Sequence, residues 1–475
     1  MRTVSEQRTP EFDAEHEPLL GAQGSPAGVS AANPTQAEGA LRSYFQALEE
    51  RPALRWHGRV IEALGQTVRS EGPVCRLGES CEIVDSTGRR HLGEVIGFRG
   101  SHVLSMPLDR IEGIQYGNAV DATGARPRIG VGEGLRGRVL NALGQAIDDG
   151  PPPPVSAMWM LERAAPPPME RLPIKDPLTT GIRAIDGLLT TGCGQRVGIF
   201  GGSGVGKSTL VGMMTRNTSA DITVVGLIGE RGREVREFLE DVLGDEGRSN
   251  SVVVVSTSDE SPLLRIRAAY ATTAIAEYFA SLGKNVLLVM DSLTRYAMAE
   301  REVGLAAGEP PTVKGYTPSV FAKLARLVER AGRLNRGSIT AFYSVLMEGD
   351  DLQDPIVDSV RSLLDGHIVL SRAVAAQGSY PPIAVLDSVS RLMSSVATRQ
   401  HREYATRVRS LLAAYARSED LVRIGAYKSG TDGELDLALR SMPAIRRFLE
   451  QSAEDRMTLS KCLEQLEAIA GGGAT

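Results

Sequence analysis

A glycine-rich segment at residues 201–209 carries the clearest chemical signal in this sequence of 475 residues. The segment reads Gly201, Gly202, Ser203, Gly204, Val205, Gly206, Lys207, Ser208 and Thr209, and it fits the phosphate-loop pattern G-x-x-x-x-G-K-[ST]. Glycines let the backbone approach phosphates closely and direct its N–H groups at them. In this pattern Lys207 supplies a cation to the β- and γ-phosphates, and the hydroxyl of Ser208 is a ligand for Mg²⁺. The segment therefore predicts a nucleotide site.

Two carboxylates follow apolar runs of the kind that form buried strands. Asp291 closes the run 286–290, where it could hold Mg²⁺ through water beside the phosphate loop; the alternative is a simple helix N-cap. Glu230 follows the run 223–228, where a carboxylate could polarise the water that attacks the γ-phosphate. The alternative for Glu230 is a surface pair with a neighbouring arginine.

The elements that must position these groups can be predicted from the same region. Residues 196–200 indicate a strand and residues 210–214 a helix whose N-terminus faces the nucleotide. Similar apolar runs recur at 223–228, 251–255, 286–290 and 339–343. Short apolar strands separated by helices are typical of a parallel sheet that is covered on both faces. We therefore predict an α/β fold with a central RecA-like P-loop domain.

Composition limits the class of protein. The hydrophobic content of 42% and charged content of 23% are those of a soluble globular protein, and the length favours two or three domains. A net charge of −5 argues against binding to nucleic acid through bulk charge. No apolar run approaches the ~20 residues of a membrane span, and the acidic N-terminus does not resemble a secretory signal. The four cysteines show neither metal-site nor disulfide spacing, so we expect a reducing, cytoplasmic setting.

The sequence divides into four predicted parts. They are a disordered extension with a short helix (1–51), a small β-barrel domain (52–150), the nucleotide-binding ATPase domain (151–395) and a helical C-terminal domain (396–475). The barrel is predicted from short alternating runs that are broken by glycines, and proline-rich stretches mark the start of the third part. The short helix has an apolar stripe formed by Leu41, Tyr44, Phe45 and Leu48. This stripe either packs on its own domain or docks a partner.

Most of the sequence resembles a known family, the catalytic subunits of the rotary-ATPase class. The resemblance is strongest to the flagellar export ATPases, with the type III secretion ATPases as a sister group, and it covers roughly residues 58–449. It rests on these segments in order: 201–209, 229–235, 291–297, 308–311 with 315–316, 346–351, 364–372, 388–393 and 425–427.

The resemblance implies roles for individual residues in the hydrolysis of ATP with Mg²⁺. Glu230 matches the catalytic glutamate, Arg231 the arginine that contacts the γ-phosphate within one subunit, and Asp291 the second magnesium carboxylate. Lys207 and Ser208 match the phosphate and magnesium ligands.

Two further residues match contacts from outside the phosphate site. Arg391 matches the arginine finger that a neighbouring subunit inserts, and Tyr380 matches the aromatic that stacks on adenine. From the residues alone, a surface ion pair would be favoured for Arg391 and a core position for Tyr380.

The resemblance also implies partners. Because one chain has both Glu230 and Arg391, identical copies could complete every site, which favours a homohexamer. The expected function is a motor that releases and unfolds export substrates from chaperones and feeds them to the membrane export gate. A central stalk protein would occupy the ring pore, and a stator-like regulator would bind the N-terminal helix. The expected location is the cytoplasm, at the inner face of the bacterial membrane.

Three alternatives remain open at this stage. They are a virulence-type secretion ATPase, a catalytic subunit of a proton-translocating ATP synthase, and a hexameric nucleic-acid translocase. The last would need exposed aromatics beside Lys or Arg on the barrel, but residues 56–149 contain few: Trp56, Phe98 and Tyr116. We therefore expect no nucleic-acid partner.

Overall fold

The computed structural model describes residues 57–347, 349, 351 and 354–471, and its first element is a closed antiparallel barrel. Its strands are β1 His57–Leu64, β2 Thr67–Glu71, β3 Ser80–Val84, β4 Arg90–Arg99, β5 His102–Pro107 and β6 Ala119–Ala122. They close in the order β1-β2-β5-β4-β3-β6. Successive side chains of a strand point to opposite faces, and Val60, Val68, Ile83 and Val120 accordingly form a small buried core. The predicted barrel is confirmed, whereas the extension and helix predicted within residues 1–51 lie outside the described residues.

A connecting region follows the barrel and contains short strands. Strands β7 Arg128–Val131 and β9 Ala157–Met160 pair with each other, and β8 Val139–Asn141 lies between them in the chain. β8 pairs in parallel with the large central sheet, not with the barrel, since Val139 lies opposite Val253 and both side chains are buried there. The closed barrel is therefore shorter than the predicted range 52–150.

The central sheet is parallel along most of its width. Its strands are β12 Arg196–Gly201, β13 Ile222–Glu230, β14 Ser251–Thr257, β15 Asn285–Asp291, β17 Ser338–Leu346, β18 Gly366–Val369 and β19 Val389–Ser390. The order is β19-β18-β12-β17-β15-β13-β14-β8, and the last-numbered strand, β19, is antiparallel to β18. The short strands β10 Pro177–Leu178 and β11 Thr191–Gly192 pair with each other, while β16 Gly332–Arg333 pairs with β17.

Both faces of this sheet are buried, as the unbroken apolar runs predict. On β13, Val224 belongs to one hydrophobic cluster and Val225 to another. On β15, Leu288 and Val289 divide between the same two clusters. Because neighbouring side chains of a strand point in opposite directions, each cluster corresponds to one face of the sheet. The predicted α/β architecture is therefore confirmed.

Helices cover the sheet and form the C-terminal part. They are α1 Arg183–Leu188, α2 Lys207–Asn217, α3 Gly232–Glu237, α4 Gly244–Ser249, α5 Pro262–Ser281, α6 Leu293–Ala306, α7 Pro318–Val328, α8 Pro355–Leu363, α9 Arg372–Ala376, α10 Met393–Val396, α11 Arg399–Arg423, α12 Gly433–Leu449 and α13 Leu459–Ala470. A π-helical segment spans Phe238–Leu243, and 3₁₀ turns span Glu133–Leu135, Pro168–Glu170 and Val313–Gly315. None of the helices described here is long and apolar enough to cross a membrane.

The C-terminal helices α11, α12 and α13 share a core with the nucleotide-binding part. Val408, Ile445 and Leu466, one from each helix, belong to the same buried cluster as Ile185 of α1. The predicted helical C-terminal region is confirmed, and its common core with α1 ties it firmly to the central sheet. The exact boundaries at residues 151 and 396 stay a prediction.

Candidate active site

The phosphate loop connects β12 to α2 at the carboxyl end of an interior strand. Gly204 and Gly206 have φ angles of +76° and +91°, a left-handed conformation that glycine adopts without steric cost. A Cβ atom on Gly202 would lie 2.5 Å from Nη2 of Arg372. Glycine is therefore needed at 204 and 206 for the backbone conformation and at 202 for close packing. Both properties suit a loop that surrounds phosphates.

Lys207 is the first residue of α2, and its side chain folds back into the loop. Its Nζ donates to the carbonyl oxygens of Gly201 and Gly202, both at 3.1 Å. Burial lowers the pKa of the Lys207 ammonium, while the negative charges of Asp291 and Glu230 act to raise it. An ammonium has three donors and no acceptor, so these two bonds leave Nζ able to bind a phosphate oxygen.

Glu230 and Asp291 end two adjacent parallel strands, β13 and β15. Burial raises the pKa of both carboxyls, and that of Glu230 rises to about 8 with a further contribution from the negative charge of Asp291. Asp291 is 5% exposed, and its Oδ1 is buried without a hydrogen-bond partner in the described part of the chain. Both predicted carboxylates therefore reach the edge of the sheet where the phosphate loop begins.

The residues at this edge fit a magnesium ion. A buried polar atom without a partner needs a donor or a cation, and Oδ1 of Asp291 is such an atom. The residues described contain no group of three or more His, Cys, Asp or Glu that could hold a metal by themselves. Mg²⁺ is usually bound by one or two carboxylates together with water and substrate phosphates. Asp291 and the exposed hydroxyl residue Ser208 match an ion that is bound together with a nucleotide.

The structure adds Arg295 to this group, although the sequence analysis gave this residue no role. Arg295 lies on the first turn of α6, and a Cβ on Gly229 would be 3.0 Å from its Cβ. Its positive charge acts to lower the pKa of both Glu230 and Asp291, against the larger effect of burial. Its Nε is buried without a hydrogen-bond partner among the described residues. The signal in the sequence is its position four residues after Asp291, in the first turn of the helix that follows β15.

Arg231 lies next to Glu230 in the chain, but its side chain faces solvent. It precedes α3, its side chain is 79% exposed, and Nη1 lies 3.3 Å from Oε1 of Glu234. Glu234 also contributes to the raised pKa of Glu230. The contact of Arg231 with a γ-phosphate stays a prediction.

Tyr380 lies over the phosphate loop, as a residue that stacks on a nucleotide base would. A Cβ on Gly206 would be 3.9 Å from Cε1 of the tyrosine ring and 3.9 Å from Cδ of Pro382. The Tyr380 side chain is 53% exposed. It is therefore not a core residue, so the core alternative for Tyr380 is wrong.

Arg391 lies at the opposite end of the sheet from the phosphate loop. It is exposed, and its N–H donates to the carbonyl oxygen of Asp365, whose carboxylate binds Arg196 at the start of β12. Gly201 is five residues further along β12, about 16 Å at ~3.3 Å per residue. Arg391 is therefore remote from the phosphate loop of its own chain.

Three family models match the chain in the order of the observed parts. They are the ATP synthase alpha/beta family beta-barrel domain at residues 60–124, the ATP synthase alpha/beta family nucleotide-binding domain at residues 181–390, and the T3SS EscN ATPase C-terminal domain at residues 397–468. The last of these points to secretion ATPases.

Curated relatives narrow the assignment. The chain is 48% identical to the flagellum-specific ATP synthase of Bacillus subtilis over 90% of this chain and 99% of the relative. It is 51% identical to that of Treponema pallidum over 91% of this chain and 97% of the relative. This chain belongs to the family of flagellar and type III secretion ATPases. A type 3 secretion system ATPase of Xanthomonas euvesicatoria is also 48% identical, over 87% of this chain and 94% of the relative.

Solved structures agree with this membership. The assembled ATPase EscN from the type III secretion system of enteropathogenic E. coli has a TM-score of 0.82 and 43% identity, and it matches 87% of this chain and 100% of that one. EscN in complex with its central stalk EscO has a TM-score of 0.81 over the same shares of both chains. The expected three-part fold and ATPase activity are thus confirmed, while the roles of single residues stay predictions.

Proposed function

We propose that this member of the family is the ATP-hydrolysing subunit of a homohexameric motor in a flagellar-type protein export apparatus. One observation carries the proposal. Lys207, Glu230 and Asp291 meet at the carboxyl edge of the sheet, whereas Arg391 of the same chain is exposed at the opposite end of the sheet. A chain built in this way holds two separate parts of an active site, and contact between identical copies would join them.

The proposed roles follow from the chemistry of the described residues. Glu230 in its ionised form accepts a hydrogen bond from the attacking water and orients it at the γ-phosphate. Lys207 and the loop N–H groups hold the phosphates, while Arg231, released from Glu234, binds the γ-phosphate within the same subunit. Arg391 of a neighbouring copy stabilises the charge that develops in the transition state.

Other residues are proposed to bind the magnesium ion and the adenine base. A magnesium ion held by the Ser208 hydroxyl and, through water, by Asp291 would neutralise charge on the phosphates. Tyr380 stacks on the adenine. The remaining loop residues Gly201, Gly202, Ser203, Gly204, Val205, Gly206 and Thr209 surround the phosphates with backbone N–H groups.

The relatives support a ring with a stalk. The two EscN structures show an assembled ATPase and a complex with its central stalk. By analogy, the present chain would form a homohexamer whose pore takes a stalk protein. Export chaperones with their substrates, and an export gate in the membrane, would be the other partners of a cytoplasmic ring bound to the inner face of the membrane.

A stator-like regulator completes the proposal, with the helix predicted from the sequence around Leu41, Tyr44, Phe45 and Leu48 as its binding segment. A helix of about two turns is marginal in water, so a partner surface would stabilise it. Deletion of residues 1–51 should leave barrel and ATPase folded and abolish capture of the regulator. A truncated protein that unfolds, or melts several degrees lower, would contradict the docking role.

The shared site is tested by mixing two inactive variants. Arg391→Ala should bind ATP yet hydrolyse it ~10³–10⁵-fold more slowly, the contribution of an arginine finger supplied in trans. Glu230→Gln should also be inactive. Mixed rings should regain part of the activity, because some interfaces pair an intact Glu230 with an intact Arg391. Verified mixed rings that stay inactive would refute the shared site.

The flagellar role has a separate test. A gene deletion that leaves flagellar filaments intact in the host would refute it.

A further inference from the structure

The loop that follows α12 makes direct contact with the loop that carries Tyr380. The N–H of Gln451 donates to the carbonyl oxygen of Tyr380 at 2.7 Å. One residue earlier on both loops, the hydroxyl of Ser379 donates to Oε1 of Glu450 at 2.9 Å. These two bonds link the C-terminal helices to the tyrosine that lies over the phosphate loop.

Gln451 itself is held firmly on its other side. It is 4% exposed. Its Oε1 accepts from the N–H of Arg183 at 2.9 Å, and its Nε2 donates to the carbonyl oxygens of Gly181 at 2.7 Å and Asp455 at 3.3 Å. A glutamine amide offers two donors and an acceptor oxygen, so both ends of this amide are used. The position of the Gln451 backbone is therefore fixed by its own side chain.

The Gln451 amide is bonded to Gly181, which packs against the helix that follows the phosphate loop. Gly181 has a φ of +77°, and a Cβ there would lie 2.3 Å from Cβ of Asn217, so its backbone is packed against that residue. Asn217 is the last residue of α2, the helix that begins at Lys207. Gln451 therefore lies between the far end of the phosphate-loop helix and the loop of Tyr380.

We propose that Gln451 is a positioning residue that sets the place of the Tyr380 ring above Gly206 and thereby couples the C-terminal helices to the affinity for the nucleotide base. The proposal rests on the base-stacking role of Tyr380 given above. Without the amide of Gln451, the buried carbonyl of Gly181 loses its partner, and the N–H that holds Tyr380 is no longer fixed in place. The exposed ring then loses its orientation, whereas the phosphate loop, which is held by its own bonds, does not.

The coupling acts in both directions. If displacement of α12 moves residues 450 and 451, the ring follows, because the Gln451 N–H and the Glu450 carboxylate both hold the tyrosine loop. By linkage, a base bound under Tyr380 would favour one position of α12 by the same free energy.

The test compares two ligands that differ by the base. Binding of ATP and of inorganic tripolyphosphate is measured by calorimetric titration on the full chain, together with KM and kcat. The variants are Gln451→Ala, Gln451→Glu, Ser379→Ala and Tyr380→Ala, each checked for an unchanged melting temperature. Gln451→Glu keeps the acceptor for Arg183 and loses the donor to Gly181. Gln400→Ala is the matched control, because it removes a glutamine from the C-terminal helices whose side chain bonds the hydroxyl of Tyr404.

Stacking of a base on an aromatic side chain contributes enough that Tyr380→Ala should weaken ATP binding about 5- to 100-fold. Gln451→Ala and Gln451→Glu should weaken ATP binding about 3- to 10-fold, and Ser379→Ala about twofold. The Gln451 and Ser379 variants should leave tripolyphosphate binding and kcat within about twofold of wild type, and Gln400→Ala should change nothing. In the Tyr380→Ala background, Gln451→Ala should have no further effect.

Normal ATP binding by Gln451→Ala when Tyr380→Ala binds ATP weakly would overturn the inference and leave the proposed function intact. An equal loss for ATP and tripolyphosphate would overturn it too, and so would an effect that adds to that of Tyr380→Ala, since both indicate a purely structural role. If Tyr380→Ala itself binds ATP normally, the base-stacking role fails, and the coupling proposal fails with it. Absence of ATP hydrolysis in the wild type would instead refute the proposed function, and the binding titrations would still decide the role of Gln451.

Discussion

Glu230 and Asp291 end neighbouring parallel strands, but at different heights. Asp291 lies opposite Leu227 in the β13–β15 register, so Glu230 extends three residues beyond it. Asp291 is buried, and the positive charge of the phosphate-loop lysine acts to lower its pKa, whereas Glu230 is partly open at the edge of the sheet. This offset separates the carboxylate that we propose for the metal from the one that we propose for the attacking water, although burial raises the pKa of both.

The first prediction concerns the carboxylate of Glu230. Glu230→Gln keeps the size and removes the charge that orients and polarises the attacking water. We expect ATP binding to stay within about threefold of wild type, while kcat falls by several orders of magnitude. Single-turnover hydrolysis and a binding titration separate the two quantities. The control is Glu403→Gln, on an exposed face of α11; turnover like that of wild type in Glu230→Gln would contradict the role.

The second prediction is a pH dependence. Burial, then Asp291, then Glu234 raise the pKa of Glu230 to about 8 in the nucleotide-free chain. The ionised form is the active one, so kcat/KM should fall about tenfold per pH unit below this value and level off above it. Glu234→Gln removes one of the negative charges that raise this pKa, so the midpoint should move to lower pH.

The measurement is kcat/KM from pH 6 to 9.5 for both proteins. Glu237→Gln, on the same helix and paired with Arg233, is the control and should leave the midpoint in place. A midpoint in Glu234→Gln at or above that of wild type would show that Glu230 is not the titrating base.

Much of the site could be predicted from the sequence because its parts are local. The phosphate loop is one continuous segment, and a carboxylate at the end of an apolar run must lie at the carboxyl edge of a parallel sheet. Lys207, Glu230 and Asp291 are found together for that reason. The same logic predicted a sheet covered on both faces, which the alternating clusters of β13 confirm.

The remaining features depend on tertiary packing. Residues 139–141 look like another short barrel strand, and only the open edge of β14 decides that they join the central sheet. The position of Arg295 after Asp291 can be seen in the sequence. Its charge acts on Glu230 only because Gly229 lets β13 pack closely against α6. The bond between Gln451 and Tyr380 joins residues 71 positions apart, and no periodic pattern signals it.

The third prediction concerns magnesium. Asp291→Asn removes the buried charge whose Oδ1 lacks a partner among the residues described. Loss of a group that holds a metal through water typically lowers metal affinity 10- to 100-fold. We therefore expect the Mg²⁺ concentration for half-maximal ATPase activity to rise by at least tenfold. Asp245→Asn, at a fully exposed position, is the control, and an unchanged Mg²⁺ requirement in Asp291→Asn would rule out the magnesium role.

The last prediction concerns the stability that a buried ion pair between Arg330 and Glu277 gives to the fold. Arg330 is 1% exposed, and its guanidinium donates to both carboxylate oxygens of Glu277 at 2.7 and 2.9 Å and to the carbonyl of Leu161 at 2.7 Å. Removal of one partner from a buried pair leaves an uncompensated charge and costs about 3–5 kcal/mol. Glu277→Ala should therefore lower the free energy of unfolding by this amount, measured as a shift of the urea midpoint.

A surface pair supplies the comparison for this prediction. Arg399 and Glu403 form an i,i+4 pair on α11 at 2.9 Å, with side chains 88% and 60% exposed. Such exposed pairs contribute about 0.3–0.5 kcal/mol because water and salt screen them. Glu403→Ala should accordingly leave the urea midpoint almost unchanged. If Glu277→Ala and Glu403→Ala shift the midpoint equally, Arg330 must find another partner or reach solvent, and the pair does not stabilise the core.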